Sequence, residues 1–145
     1  MKKTVALTVV VLLVTSCWLM VSAKDKKPDE GYRDPQVSPH IRATVGLDYA
    51  RELVKNGNRD EAVPLLHLVV QQTFKMDLSE FGAPNSKVLI QLDACRLAIQ
   101  IGHRPTAENF LDAAQSSLRD IQTDKLRQER QQDIQFLTNK VKGMR

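Results

Sequence analysis

The sequence predicts an all-α domain of about five helices that follows an export signal. Apolar residues recur at three- and four-residue spacing through most of the chain after residue 38. Gly57 and Gly102 each follow one of these apolar runs, and no segment shows a sustained two-residue alternation. Because helical spacing without strand spacing is typical of helical hairpins and bundles, we expect no sheet.

The first 23 residues have the three parts of a secretory signal peptide. Lys2 and Lys3 give a positive start, an uncharged apolar segment follows, and Val21-Ser22-Ala23 offers the small residues that signal peptidase needs. Cleavage after Ala23 is therefore favoured. The protein is expected to be periplasmic or secreted in a bacterium.

Two alternatives to cleavage after Ala23 stay open. Val14-Thr15-Ser16-Cys17 resembles the bacterial lipobox, whose cysteine is lipidated and becomes the new N-terminus. Lipidation of Cys17 would make the protein a membrane-anchored lipoprotein, although the residues that follow Cys17 are apolar where lipoproteins usually turn polar. An uncleaved apolar segment of about 20 residues would also span a bilayer. Contact with a membrane is thus expected only through the N-terminal segment.

Composition limits what the exported part can bind. Loss of Lys2 and Lys3 with the signal lowers the formal charge from +4 to +2, and few aromatic residues lie among the remaining basic ones. This pattern does not favour nucleic acid as a partner. Cys95 is the only cysteine after residue 23, so no disulfide within the chain is expected. An apolar core must therefore hold the helices together.

Residues 24–37 are predicted to be a flexible linker and residues 38–145 the helical domain. The linker is charged, contains two prolines and has almost no apolar residues. Ser38-Pro39 then predicts the start of the first helix, with the serine as N-cap and the proline at the first helical position. Gly57 predicts its end, because glycine readily adopts the left-handed conformation that closes many helices.

The second helix is predicted to begin after Asn58, with two carboxylates in its first turn. Its pattern breaks between Phe74 and Lys87, a segment that contains Gly82-Ala83-Pro84-Asn85. We expect this segment to be a loop that buries one of its large apolar residues, which are Phe74, Leu78 and Phe81.

Three more helices complete the predicted domain. The third covers about residues 86–101, the fourth runs from Arg104 to about Ile121, and the fifth ends near Lys142 after a break at Thr123-Asp124. The fifth helix has an apolar stripe at helical spacing, formed by Leu126, Ile134, Leu137, Val141 and Met144. This stripe predicts that the last helix packs on the others.

Part of the sequence repeats after 45 residues. Small residues at Ala50 and Cys95, arginines at Arg51 and Arg96, glycines at Gly57 and Gly102, and alanines at Ala62 and Ala107 all match at this separation. A repeat of this length indicates two helix–turn–helix units in the same register.

The spacing resembles the tetratricopeptide repeat, in which an alanine five residues after the turn glycine allows two helices to approach closely. The resemblance covers about residues 36–121. It implies two such units, a C-terminal capping helix and a concave face that binds protein. Gly46 and Gln91 replace the family's early aromatic, and the repeat is longer than the family's length of about 34 residues. A generic helical bundle is therefore the alternative fold.

A second resemblance concerns the stretch from Arg96 through Gly102 to Asp120, which is similar to exported helical YfdX-type proteins. This likeness agrees with an exported helical protein but implies no particular activity.

The sequence contains no motif of a known catalytic or cofactor site. His40, His67 and His103 lack a second histidine or an acid at metal-ligand spacing. There is also no Cys-x-x-Cys-His haem motif, no glycine-rich phosphate loop and no Gly-x-Ser-x-Gly. We therefore expect no enzymatic activity, no metal and no cofactor.

The expected function is that of a non-catalytic scaffold or adaptor that binds another envelope protein or a second copy of itself. Binding would bury a few apolar anchors on a preformed groove, or use the glutamine-rich C-terminal helix. The alternative is a helical bundle that encloses a small apolar ligand or serves in stress protection. The residues expected to contact the partner lie on the first helix of each unit and are Tyr49, Arg51, Leu53, Arg96 and Ile99.

Overall fold

The structure is a computed structural model that describes residues 30–144. The predicted signal peptide, Cys17 and linker residues 24–29 lie outside the described residues. Residues 30–144 form helices, turns and bends without any strand, which confirms the all-α prediction. Within residues 30–144, no helix has both the length and the apolar character needed to cross a membrane.

The described residues contain six α-helices and one short 3₁₀ helix. In chain order these are α1 (Glu30–Arg33), α2 (Pro39–Lys55), α3 (Arg59–Thr73), α4 (Ala83–Gln100), α5 (Arg104–Ser117), the 3₁₀ helix (Leu118–Asp120) and α6 (Asp124–Lys142). The five long helices correspond to the five predicted from the sequence.

The long helices form two layers. Helices α2 and α3 form one hairpin, and α4 and α5 form a second hairpin that stacks on the first. Helix α4 packs between α2 and α6, so α2, α4 and α6 form one layer. Helices α3 and α5, which contact each other, form the second layer. This arrangement matches the two predicted helix–turn–helix units followed by a terminal helix.

Both hairpin turns depend on a left-handed glycine. Gly57 has φ of 80° and Gly102 has φ of 76°. The amide of Asn58 bonds to the carbonyl of Leu53 at 2.8 Å, and the amide of His103 bonds to that of Ala98 at 2.9 Å. These bonds close the ends of α2 and α4 in the way that glycine-terminated helices commonly do. The sequence-based prediction of both turns is confirmed.

The residues before α2 are more ordered than a flexible linker would be. Residues 30–33 form the short helix α1, and Tyr32 packs against the core. The close approach depends on Gly46, because a Cβ atom placed there would lie 2.9 Å from Val69 Cγ2 and 3.7 Å from Tyr32 Cβ. The prediction of a linker over residues 24–37 therefore does not hold for α1, which is part of the packed domain.

Helix α4 begins three residues earlier than predicted, at Ala83. Gly82 is its N-cap with φ of 80°, and the amide of Ser86 bonds to the carbonyl of Gly82 at 2.9 Å. In the segment before α4, Met76 is the buried side chain and Leu78 packs partly against the core.

The two phenylalanines of this segment are exposed, which excludes two of the three expected anchors. Phe81 is fully exposed and Phe74 is 56% exposed. Lys87 Nζ lies 5.0 Å from the centre of the Phe74 ring. The ring therefore has a cation–π contact although it is not packed in the core.

The two repeat alanines should be intolerant of larger side chains. Ala62 and Ala107 are completely buried, and the Cys95 thiol donates to the carbonyl of Ala107 at 3.5 Å, which shows how closely α4 and α5 approach. We expect Ala62→Leu or Ala107→Leu to lower the free energy of unfolding by about 1–3 kcal/mol through overpacking. Urea denaturation measures this change. The exposed Ser116→Leu is the control, and unchanged stability in both alanine variants would contradict the proposed packing of the hairpins.

Candidate partner-binding face

The structure separates the five residues that were predicted to contact a partner. Leu53 is 5% exposed and belongs to the core, so the prediction for this residue is wrong. The Leu53 side chain is part of the apolar core, on the buried side of α2. Tyr49 and Ile99 are half-buried and pack partly against the core, whereas Arg51 and Arg96 are exposed. Of the five residues, only the two arginines are classed as exposed.

A line of ion pairs joins these arginines across the layer of α2, α4 and α6. Arg51 Nη2 lies 2.9 Å from Asp93 Oδ2, and Arg96 Nη1 lies 2.6 Å from Asp93 Oδ1. Arg96 Nη2 is 4.0 Å from Asp133 Oδ1, whose second oxygen is 3.0 Å from Arg130 Nη1. We call the surface of α2, α4 and α6 that these five residues form the front face.

The front face has the same register on all three helices. Asp48, Asp93 and Asp133 occupy corresponding positions, with steps of 45 and 40 residues along the chain. Asp48 and Asp93 each pair with the arginine three residues later in their own helix, Arg51 and Arg96. The aspartates are the functional candidates that the sequence interpretation missed. The recurring Asp-x-x-Arg pattern was the signal that could have revealed the first two.

An exposed aromatic side chain lies on the α6 part of the front face. Phe136 is 59% exposed and follows Asp133 by three residues, so the two occupy one side of the helix. Lys140 Nζ lies 4.7 Å from the centre of the Phe136 ring. Phe136 therefore offers an apolar contact beside the ion pairs, with a cation over its ring.

The ion pairs of the front face are too exposed to contribute much to folding. The side chains of Arg51, Asp93 and Arg96 are 45%, 36% and 43% exposed. Exposed pairs of this kind are typically worth about 0–1 kcal/mol each. Substitutions on this face should consequently have little effect on stability.

Cys95 and His67 are two side chains of types that often carry chemistry, and both take part in packing: Cys95 is buried and His67 is partly buried. Burial raises the pKa of the Cys95 thiol to about 12, against the opposing effect of the Arg96 charge, so the thiol is protonated at neutral pH. His67 Nε2 lies 3.1 Å from Thr106 Oγ1, and its ring meets Phe110 edge-on at a centroid distance of 5.0 Å. Cys95 thus packs within the second hairpin, and His67 packs between the two hairpins.

Metal-binding geometry is also absent from the part of the chain that the structure describes. No group of three or more histidine, cysteine, aspartate or glutamate side chains is placed to hold an ion between residues 30 and 144. The carboxylates of the front face are instead directed at arginines.

Comparison with known proteins gives no relative from which a function could be transferred. No family model matches the chain, and searches of curated proteins and of solved structures find no match.

Proposed function

We propose that the helical domain is an exported, non-catalytic adaptor that binds another envelope protein, or a second copy of itself, through the front face. The observation that supports this is the continuous set of exposed arginine–aspartate pairs across three helices, beside the exposed Phe136. Arginines and aromatic residues are the types that most often dominate binding energy in protein interfaces.

The arrangement suits a preformed surface. Each arginine of the front face is positioned by a carboxylate from its own or a neighbouring helix, which reduces the side-chain freedom that binding would have to remove. Phe136 can lose its remaining exposure to a partner without any rearrangement of the core, because it lies outside the buried stripe of α6.

Export is the second part of the proposal, and it rests on the sequence of residues 1–23. We expect the mature protein in its native host to begin at Lys24. Intact-mass measurement of the protein purified from that host would test this. A mass that includes an acylated Cys17 would establish a lipoprotein, and an unprocessed Met1 would establish an anchored protein; either result contradicts cleavage after Ala23.

The partner-binding proposal predicts that Arg96→Ala combined with Phe136→Ala abolishes capture of the partner. Loss of two central contacts should reduce the captured amount at least about tenfold, since truncation of a residue that dominates an interface costs more than about 1 kcal/mol. Stability should change by less than about 1 kcal/mol, because both side chains are exposed. Chemical crosslinking in the native envelope followed by mass spectrometry measures the capture.

A matched control uses exposed residues on other surfaces. Arg119→Ala with Leu68→Ala removes one arginine and one exposed apolar side chain of comparable exposure, 42% for Leu68, outside the front face. This control should capture the partner as the wild-type protein does. Equal loss in both double variants, or no loss in either, would show that the front face is not the binding surface.

A further inference from the structure

Helix α2 lies at the end of the layer formed by α2, α4 and α6. Within residues 30–144 it contacts α3, α4 and the short α1, so its outer side has no long helix packed against it. Four residues that follow each other at steps of three, four and three lie on one side of α2 and are not fully buried. These residues, which we call the outer stripe, are Arg42, Val45, Tyr49 and Glu52.

The middle of the outer stripe is apolar. A depression on this side of α2 is lined, among the described residues, by Val45, Asp48, Tyr49, Arg51 and Glu52. Most of its surface is apolar, and the charges of Asp48 and Arg51 are directed at each other. Helix α1 borders the depression, since a Cβ atom at Gly31 would lie 3.7 Å from Val45 Cγ1. An occupant must therefore offer apolar contact to Val45 and Tyr49.

The two ends of the outer stripe carry opposite charges. Neither Arg42 nor Glu52 has a side-chain ion pair or hydrogen bond among the described residues, and Arg42 Nε is buried without a partner there. Ten residues separate the two side chains, which is a rise of about 15 Å along the helix. The stripe thus lacks an acid at its first end and a base at its second, with apolar contact needed between them.

A second copy of α2 that runs in the opposite direction supplies all of these groups. When Val45 lies opposite Tyr49 of the other copy, the same register places Arg42 opposite Glu52. Because the arrangement has two-fold symmetry, each contact occurs twice. A parallel arrangement would instead place arginine against arginine and glutamate against glutamate. The charges of the outer stripe are therefore complementary to those of a second, antiparallel copy.

We propose that two copies of this protein associate through the outer stripe of α2, with the two helices antiparallel. A contact of one helix from each copy is small, below about 1,200 Å² in total, so the dimer should be reversible with a Kd above about 1 μM. The contact uses no residue of α4 or α6. It therefore leaves those parts of both front faces uncovered and does not rest on the adaptor function.

Charge reversal on the purified full-length processed protein tests this pairing by sedimentation velocity, at concentrations below and above the expected Kd. Wild-type protein should change from monomer to dimer as its concentration rises. Arg42→Glu and Glu52→Arg each place like charges opposite each other twice, so each should raise the Kd at least about tenfold. Arg119→Glu and Glu61→Arg reverse exposed charges elsewhere and should leave the Kd unchanged.

An equimolar mixture of the Arg42→Glu and Glu52→Arg proteins should associate again, because each chain then offers the charges that the other lacks. The variant that carries both reversals in one chain should dimerise as the wild-type protein does. Because Glu52 is exposed, its reversal should not affect folding and tests the pairing even where Arg42→Glu lowers stability. Wild-type protein that stays monomeric, or a mixture that associates no better than either variant alone, would overturn the proposal.

The front-face variant Arg96→Ala with Phe136→Ala separates this contact from partner binding. It should dimerise like the wild-type protein, since neither side chain belongs to the outer stripe. Loss of the dimer in this variant would assign the contact between copies to the front face and overturn the pairing through α2. Capture of an envelope partner is measured separately, so failure of either proposal leaves the other standing.

Discussion

Truncation after Thr123, which removes α6, is expected to lower the free energy of unfolding by several kcal/mol and to cause self-association. Ile134, Leu137 and Val141 are 4%, 1% and 3% exposed in the structure. Full burial of side chains of this size is worth about 1.5–3 kcal/mol each. Part of this gain offsets the entropy of ordering α6, so the net loss is smaller than the sum. The truncated protein would also expose the apolar side of α4 and α5 that α6 now covers.

A polar anchor adds to the contribution of α6. The guanidinium of Arg127 donates through Nε to the carbonyl of Ile121 at 3.0 Å and through Nη2 to the same oxygen at 2.5 Å. Ile121 is itself 2% exposed. Removing α6 therefore also removes both hydrogen bonds to the Ile121 carbonyl, which adds to the apolar loss.

Serine substitutions on the two sides of α6 separate packing from helix propensity. The triple variant Ile134→Ser, Leu137→Ser and Val141→Ser should be destabilised almost as much as the truncated protein. The same three serines on the exposed side, at Gln128, Gln132 and Gln135, should cost far less. Urea denaturation and light scattering measure stability and association. A truncated protein that stays monomeric and melts like the full domain would mean that α6 folds independently.

The helix boundaries that follow local signals were predictable from the sequence. The pair Ser38-Pro39 begins α2, with the serine oxygen accepting from the amide of Ile41 at 3.4 Å. Gly57 and Gly102 end their helices as expected. These signals act over a few residues and need no tertiary context. The start of α4 was missed because Gly82-Ala83-Pro84 was interpreted as loop, whereas proline is also well tolerated in a first helical turn.

The burial of residues that depends on tertiary packing was not predictable from local signals. Gln91 is completely buried, and its Nε2 donates to Thr73 Oγ1 at 2.8 Å. A hydrophobic pattern assigns such a polar residue to the surface, because the pattern holds no information on a partner 18 positions away. The same limit explains the error at Leu53, whose helical position was compatible with either side of the hairpin.

The candidate site was predictable only in part, for a related reason. Arg51 and Arg96 follow from the internal repeat, and both lie on the front face. Asp133 and Phe136 come from α6, whose separation from the second unit is 40 rather than 45 residues. Packing between the helices determines the register of α6 against α4. Sequence spacing alone does not reveal that register.

Lys87 and Asp120 form an ion pair that joins α4 to the 3₁₀ helix. Lys87 Nζ lies 2.9 Å from Asp120 Oδ2, and the side chains are 9% and 24% exposed. Removing one partner of a buried pair is costly because the other charge stays without compensation. Lys87 is the more deeply buried partner. We therefore expect Asp120→Asn to lower the free energy of unfolding by about 2–4 kcal/mol, less than the full cost for a pair without solvent contact.

Substitution of Lys87 should lower the free energy of unfolding less than substitution of Asp120. This difference between the two variants tests whether Lys87 is the buried partner. Lys87→Met keeps an unbranched side chain against Phe74, and the partly exposed Asp120 can turn towards water, so we expect a loss below about 1.5 kcal/mol. The double variant should resemble Lys87→Met, because the uncompensated buried cation is gone. Glu108→Gln is the control: its pair with Arg104 spans 2.8 Å, but the two side chains are 49% and 46% exposed, so its loss should stay under about 1 kcal/mol. Equal losses for Asp120→Asn and Glu108→Gln in urea denaturation would show that Lys87 reaches water when its partner is removed.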